Sequence, residues 1–234
     1  MKKLILLLLV GTLHVIGCAT PGSTTHTYAR GNSYDVKNEK FINASPEAVW
    51  DTFVRELSKS YFMINNIDKE SRIINVSFSS DNAAEYVDCG KGETKVTKSM
   101  LNKRGLDFYS FNICEKNQLV IEDGALNQGG IMAPIICDVF RNPSLEGRMN
   151  IYVAPENGGT LVTVNCRYIV TVSITNDCEY YAPAGNLVQT NRKKDSYTCS
   201  LDSKRPSSCE TLKRESIFCS STGKLEQEIL SLVK

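Results

Sequence analysis

Nine cysteines stand in this chain of 234 residues, at positions 18, 89, 114, 137, 166, 178, 199, 209 and 219. A thiol can take a lipid, close a disulfide, ligate zinc or attack a carbonyl. Spacing disfavours zinc: no C-x-x-C pair occurs, and no histidine lies among the later cysteines. The two histidines, His14 and His26, both precede the region that reads as folded. Ser-His-Asp and Cys-His catalysis therefore find no imidazole there. Ser221-Thr222-Gly223-Lys224 lacks the first glycine of a phosphate-binding loop and is followed by Leu225, so it reads as a helix start. Gly129-Gly130 is a lone pair, and the adjacent acids Glu122 and Asp123 suit a solvated loop. A non-catalytic chain is expected, with no metal and no cofactor.

Cys18 closes an apolar run from Leu4 to Ile16 that follows Lys2 and Lys3. A bilayer-spanning helix needs about 20 apolar residues, so residues 1–17 read as a signal peptide. Val15-Ile16-Gly17-Cys18 resembles the lipobox of bacterial lipoproteins: an aliphatic residue, a small or aliphatic one, Gly or Ala, then Cys. The resemblance implies a thioether to diacylglycerol on the Cys18 thiol, cleavage before it, and acylation (palmitate, for example) of the new amino group. Several chains hold a protein on a membrane where one holds only marginally. Ala19 stands where the inner-membrane retention signal has Asp, which implies the outer membrane, facing the periplasm.

With Cys18 lipidated, eight cysteines remain, an even number in an oxidising compartment. Cys89, Cys114, Cys137, Cys166, Cys178, Cys199, Cys209 and Cys219 are thus disulfide candidates. Cys166 has a second reading, as a buried free thiol. Composition supports a globular protein, with 41% hydrophobic and 23% charged residues. Without the first 17 residues, 25 basic residues face 26 acidic ones. No net field favours nucleic acid.

These residues need elements to position them. Residues 18–33 read as a flexible tether rich in Gly, Ser and Thr, with folding expected from about Tyr34. Residues 34–44 read as a strand. Ser45 is a candidate N-cap and Pro46 fits the first helical position, leading a helix with Val49, Trp50, Phe53, Val54 and Leu57 on one face. "YFMINNI" and "RIINVSFS" read as a hairpin with one wet face, which suits an antiparallel sheet. Lys91 to Arg104 form a polar, basic loop, and "DFYSFNIC" and "NQLVIED" read as another short hairpin. Residues 123–143 show no clear assignment. "GRMNIYVAP" and "TLVTVNCRYIVTVSI" flank the turn Glu156-Asn157-Gly158-Gly159, with both glycines free to adopt positive φ. Residues 175–214 lose periodicity and read as a cysteine-rich insertion stapled by bridges. "ESIFCSS" reads as a last strand, capped by Ser221 or Thr222 into a helix carrying Leu225, Ile229 and Leu232.

Strand, helix, antiparallel strands and a C-terminal helix make an α+β order. "FINASPEAVWDTFVRELSKSYFMINNIDKESRIINVSF" is similar to the opening of lipoproteins such as the C component of the outer-membrane β-barrel assembly machinery. More loosely it resembles the START and polyketide-cyclase superfamily. "YVDCG" and "CSSTGKLEQEIL" resemble pieces of small lipoproteins of the first group. The resemblance implies a single helix-grip domain over 34–234, a curved antiparallel sheet packed against an early helix and a C-terminal helix. It also places Cys89 and Cys219 at motif edges, where they are expected to pair.

The function expected is a periplasm-facing, lipid-anchored accessory of an envelope or secretion assembly, binding a protein partner. The alternative is a carrier that grips a small apolar ligand or lipid between sheet and terminal helix. A continuous apolar cavity of roughly 300 Å³ or more favours the carrier. A filled core with an exposed apolar patch favours the partner-binder.

Overall fold

Two stretches in which every second residue is apolar dominate the architecture. In the computed structural model, which describes residues 24–96, 108–126, 132–182, 184–212 and 214–234, they become one long hairpin. Strand β9, Met132–Glu156, turns through Asn157 and Gly158 into β10, Gly159–Tyr181. Both turn residues take positive φ, 46° and 80°, the type I′ geometry that matches strand twist. Gly159 is already in the strand, so only one of the two glycines uses its freedom. The pairing then runs without a shift from Gly159↔Glu156 to Tyr180↔Ile135.

Different strands flank the two halves of this ribbon. Near the turn, β2 (Glu39–Ile42) pairs with β10, β4 (Ile73–Ser80) with β9, and β3 (Met63–Asp68) with β4. Farther out, β8 (Asn117–Leu126) lies beside β9 and β11 (Leu187–Asp202) beside β10. All these pairs are antiparallel. The strand expected over 34–44 is shorter, and the β3–β4 hairpin forms as its pattern indicated.

One face of the near half is buried. Leu145, Met149, Ile151 and Val153 of β9 and Val162, Val164, Tyr168, Val170 and Val172 of β10 are at most 1% exposed. Helices α1 (Pro46–Leu57) and α2 (Lys224–Ser231) cover this face. The Ser45 hydroxyl accepts from the Ala48 amide at 3.4 Å, capping α1. Val49, Trp50, Phe53 and Leu57 point inward. Helix α2 buries Leu225, Ile229 and Leu230, with Leu232 half-buried. Its cap is neither Ser221 nor Thr222 but Gly223, at φ 79°. The chain passes from strand to helix at one left-handed residue, which glycine adopts without steric cost.

Three smaller features complete the fold. Strands β1 (Thr24–Ala29), β6 (Lys91–Val96) and β7 (Phe108–Asn112) form a sheet in the order β1-β6-β7. Strands β5 (Val87–Asp88), β12 (Ser207–Glu210) and β13 (Ser216–Ser221) form another, with β13 in the centre. Disulfides join Cys89 to Cys219, Cys137 to Cys178 and Cys199 to Cys209.

The chain is therefore α+β, sheet-dominated, with an early and a terminal helix. Several sequence expectations are corrected. Residues 24–33 are not tether: β1 pairs with β6, the Asn32 amide donates to Asp88 at 3.0 Å, and Ser220 donates to the Asn32 carbonyl at 2.6 Å. A composition of Thr, Gly and Ser looks like linker until its partner, some seventy residues away, is known. His26 consequently lies within the fold. The "DFYSFNIC" and "NQLVIED" segments do not pair with each other; β7 bonds β6 and β8 bonds β9. Residues 91–96 are strand, and the rest of the basic stretch, 97–104, lies outside the described residues. Residues 175–181 and 187–202 are no irregular insertion but lie in the paired strands β10 and β11, and residues 132–143 are the start of β9. Residues 175–202 are mostly polar on both faces, and in 132–143 consecutive apolar residues such as Ile135-Ile136-Cys137 and Val139-Phe140 blur the alternation. The signal peptide, the lipid-attachment residue Cys18 and residues 18–23 also lie outside the described residues.

Candidate functional site

The predicted cysteine sites fall into two groups. Six of the eight later cysteines are bridged, including Cys89 with Cys219. Cys137 and Cys178 are direct cross-strand partners, with Cα atoms 4.0 Å apart. The sulfurs of Cys199, Cys209 and Cys219 lie within 4.8 Å of one another, so two disulfides sit side by side between β11, β12 and β13.

Cys114 and Cys166 carry buried free thiols. Burial pushes Cys114 up to about 12 and Cys166 well above the ordinary thiol value. Protonated thiols are poor nucleophiles. The amide of Cys166 donates to Ser203 Oγ at 2.7 Å, and that hydroxyl donates back to the Cys166 carbonyl at 3.2 Å. Beside it Tyr168 donates to Glu226 Oε2 at 2.6 Å, and Ser221 donates to the Tyr168 hydroxyl at 3.1 Å. This set fastens α2 and β13 to β10. His26, on β1, shares a 3.0 Å hydrogen bond between Nδ1 and the Thr94 hydroxyl.

The space between sheet and helices is filled. Phe53, Leu57, Ile74, Ile151, Val164, Leu225 and Ile229 are all 0% exposed in one continuous cluster. The opposite face of the near half is different in character. Because side chains alternate, residues in register across the strands form transverse rows there. One row is apolar in the centre: Ile73 stands opposite Tyr152, and Tyr152 opposite Thr163, with Phe41 and Leu161 paired beside it. Phe41 is 48% exposed, Tyr152 46% and Ile73 37%. The next row is all amide, Asn66, Asn75, Asn150 and Asn165 on four successive strands. Asn75 donates to Asn150 Oδ1 at 2.6 Å, and Asn38 donates to Asn165 Oδ1 at 3.2 Å. The third row runs Met63, Ser77, Arg148 and Arg167, and Lys204 and Arg205, with Asp202 beside them, extend its charge along a shallow groove.

The face thus grades from apolar through amide to basic over three rows. Parts of it were visible in the sequence: the wet positions Asn75 and Ser77 follow from alternation in β4. Their alignment with Asn150, Asn165, Arg148 and Arg167 depends on pairings the sequence does not display. Comparison with protein-family models, curated proteins and solved structures finds no match to this chain.

Proposed function

We propose that this protein is a non-catalytic, lipid-anchored binding module of helix-grip type. Cys18 holds it on the outer membrane, facing the periplasm, and its graded sheet face docks a protein partner in an envelope or secretion assembly. The observation that carries this reading is the apolar patch of Phe41, Ile73 and Tyr152 lying in water on the outside of a filled core. Tyrosine and arginine are the side chains that most often dominate binding energy at interfaces. Here Tyr152 and the Arg148–Arg167 pair flank a row of amides able to meet backbone groups. The fitting partner is a protein surface with an apolar spot beside acidic side chains. The lipoprotein resemblance of residues 15–18 supports the anchor. The carrier alternative needs space between sheet and terminal helix, and among the described residues that space is occupied.

The test is capture of the full, membrane-anchored protein from its own envelope after cross-linking, compared with the double variant Ile73→Ser/Tyr152→Ser. Both side chains are outside the core, so the circular dichroism melt should be nearly unchanged. A partner held by the parent and lost by the variant is the expected outcome. Equal recovery with both overturns the docking face, and an unmodified Cys18 by mass spectrometry overturns the anchor.

A further inference from the structure

A second site lies on the buried face of the far half, away from the proposed docking surface and independent of it. There the β1–β6–β7 sheet arches over β9, β10 and β11 and leaves a cavity of about 200 Å³. Phe111, Ile113, Val139, Ile174 and Ile217 give it apolar walls. Among these walls stands Arg141. It belongs to the inward row of β9, between Ile174 on β10 and Asn117 on β8. Its guanidinium lies over the Phe111 ring, 4.1 Å from the centroid, and Nη1 donates to Asn117 Oδ1 at 3.3 Å.

A guanidinium offers five donors, and a half-buried one ordinarily meets a carboxylate. Arg141 has none among the described residues. Glu93 and Glu215 also line the cavity, yet neither forms an ion pair with it, and Glu93 accepts from Thr27 instead. The unmet charge is costly, and desolvation already lowers the proton affinity of Arg141. Tyr197 lines the same cavity, and its hydroxyl has no hydrogen-bond partner among the described residues. Burial pushes that phenol up to about 12, so it remains a neutral donor.

We propose that this cavity binds a small amphiphilic carboxylate, its apolar part against the Phe111, Ile113 and Ile217 walls and its anionic head on Arg141 and the Tyr197 hydroxyl. His26, Glu93 and Glu215 share the lining with Arg141, and the two carboxylates repel added negative charge, so the site suits a monoanion better than a dianion such as phosphate. Size sets the apolar part. A cavity of about 150 Å³ accepts a benzene ring, so this one takes a ring or a chain of roughly eight carbons.

Calorimetric titration of the oxidised mature chain with octanoate, benzoate, 1-octanol, acetate and inorganic phosphate tests the site. Octanoate or benzoate should bind at one site, at least tenfold tighter than 1-octanol or acetate. Arg141→Gln should weaken the carboxylate about tenfold to a hundredfold, the range of a charged hydrogen bond, and leave 1-octanol unchanged. Tyr197→Phe deletes one oxygen only and should weaken it severalfold, which keeps the test valid if the arginine variant fails to fold. Phosphate binding tighter than octanoate, no saturable binding of either carboxylate, or an undiminished affinity in both variants would overturn the proposal.

Discussion

A buried carboxyl group is costly unless its oxygens find partners. Glu226 is 0% exposed; Oε2 accepts from Tyr168, and Oε1 has no hydrogen-bond partner among the described residues. Glu226→Gln keeps an acceptor for Tyr168 and removes the ionisable group, so stability in urea should hold or rise by about 1 kcal/mol. Tyr168→Phe strands the carboxyl entirely and should cost about 1–3 kcal/mol. The two changes should not add, because they touch one network. The free thiols give a pH prediction. Cys114 and Cys166 hold their protons more tightly folded than unfolded, so their contribution is full below the unfolded value of 9.0. It is lost as pH rises from there toward about 12, the folded value of Cys114. The urea midpoint should fall above about pH 9, by up to about 1.4 kcal/mol per pH unit per thiol, and Cys114→Ala should lessen that slope. The sequence showed which cysteines were available and raised a free Cys166. It could not show that Cys114 is left unbridged, since that depends on which strands meet.

Helix α2 lies close on the sheet because β9 has a hole opposite it. A side chain on Gly147 would place its Cβ 2.8 Å from Leu225 Cδ2. Leu225 Cδ2 is the end of its side chain and can turn aside, so Gly147→Ala should loosen the seat of α2 at a cost of about 1 kcal/mol, the low end of overpacking. Amide exchange in residues 224–231 should speed up more than in α1, which hydrogen-exchange mass spectrometry would resolve. Elements built from neighbouring residues were readable in advance. The cap at Ser45, the β3–β4 hairpin and the β9–β10 turn each declare themselves within about twenty residues. Pairings between distant segments were not. Nothing within Thr24–Ala29 announces Lys91–Val96, and Arg141 shows no ligand site until β1, β7 and β11 surround it.

The two halves of the ribbon are held by different forces. Near the turn, helices and sheet share a core of large apolar side chains. Farther out, residues 187–194 are exposed and the Cys137–Cys178 bridge clasps the strands. Reduction under native conditions should loosen the far half first, with limited proteolysis cutting within 175–202 while the helix-covered half stays intact. Simultaneous cleavage of both halves would show them to be one cooperative unit. Carboxylate binding should disappear together with the far half.

The unshifted pairing along β9 and β10 also constrains how such a chain can vary over time. Removing one residue midway would turn every side chain beyond it to the other side, exposing Val139 and burying its neighbours. Changes in length there are tolerable only in twos, or where a bulge absorbs the odd residue. Parity, more than residue identity, is what descendants of this hairpin must preserve.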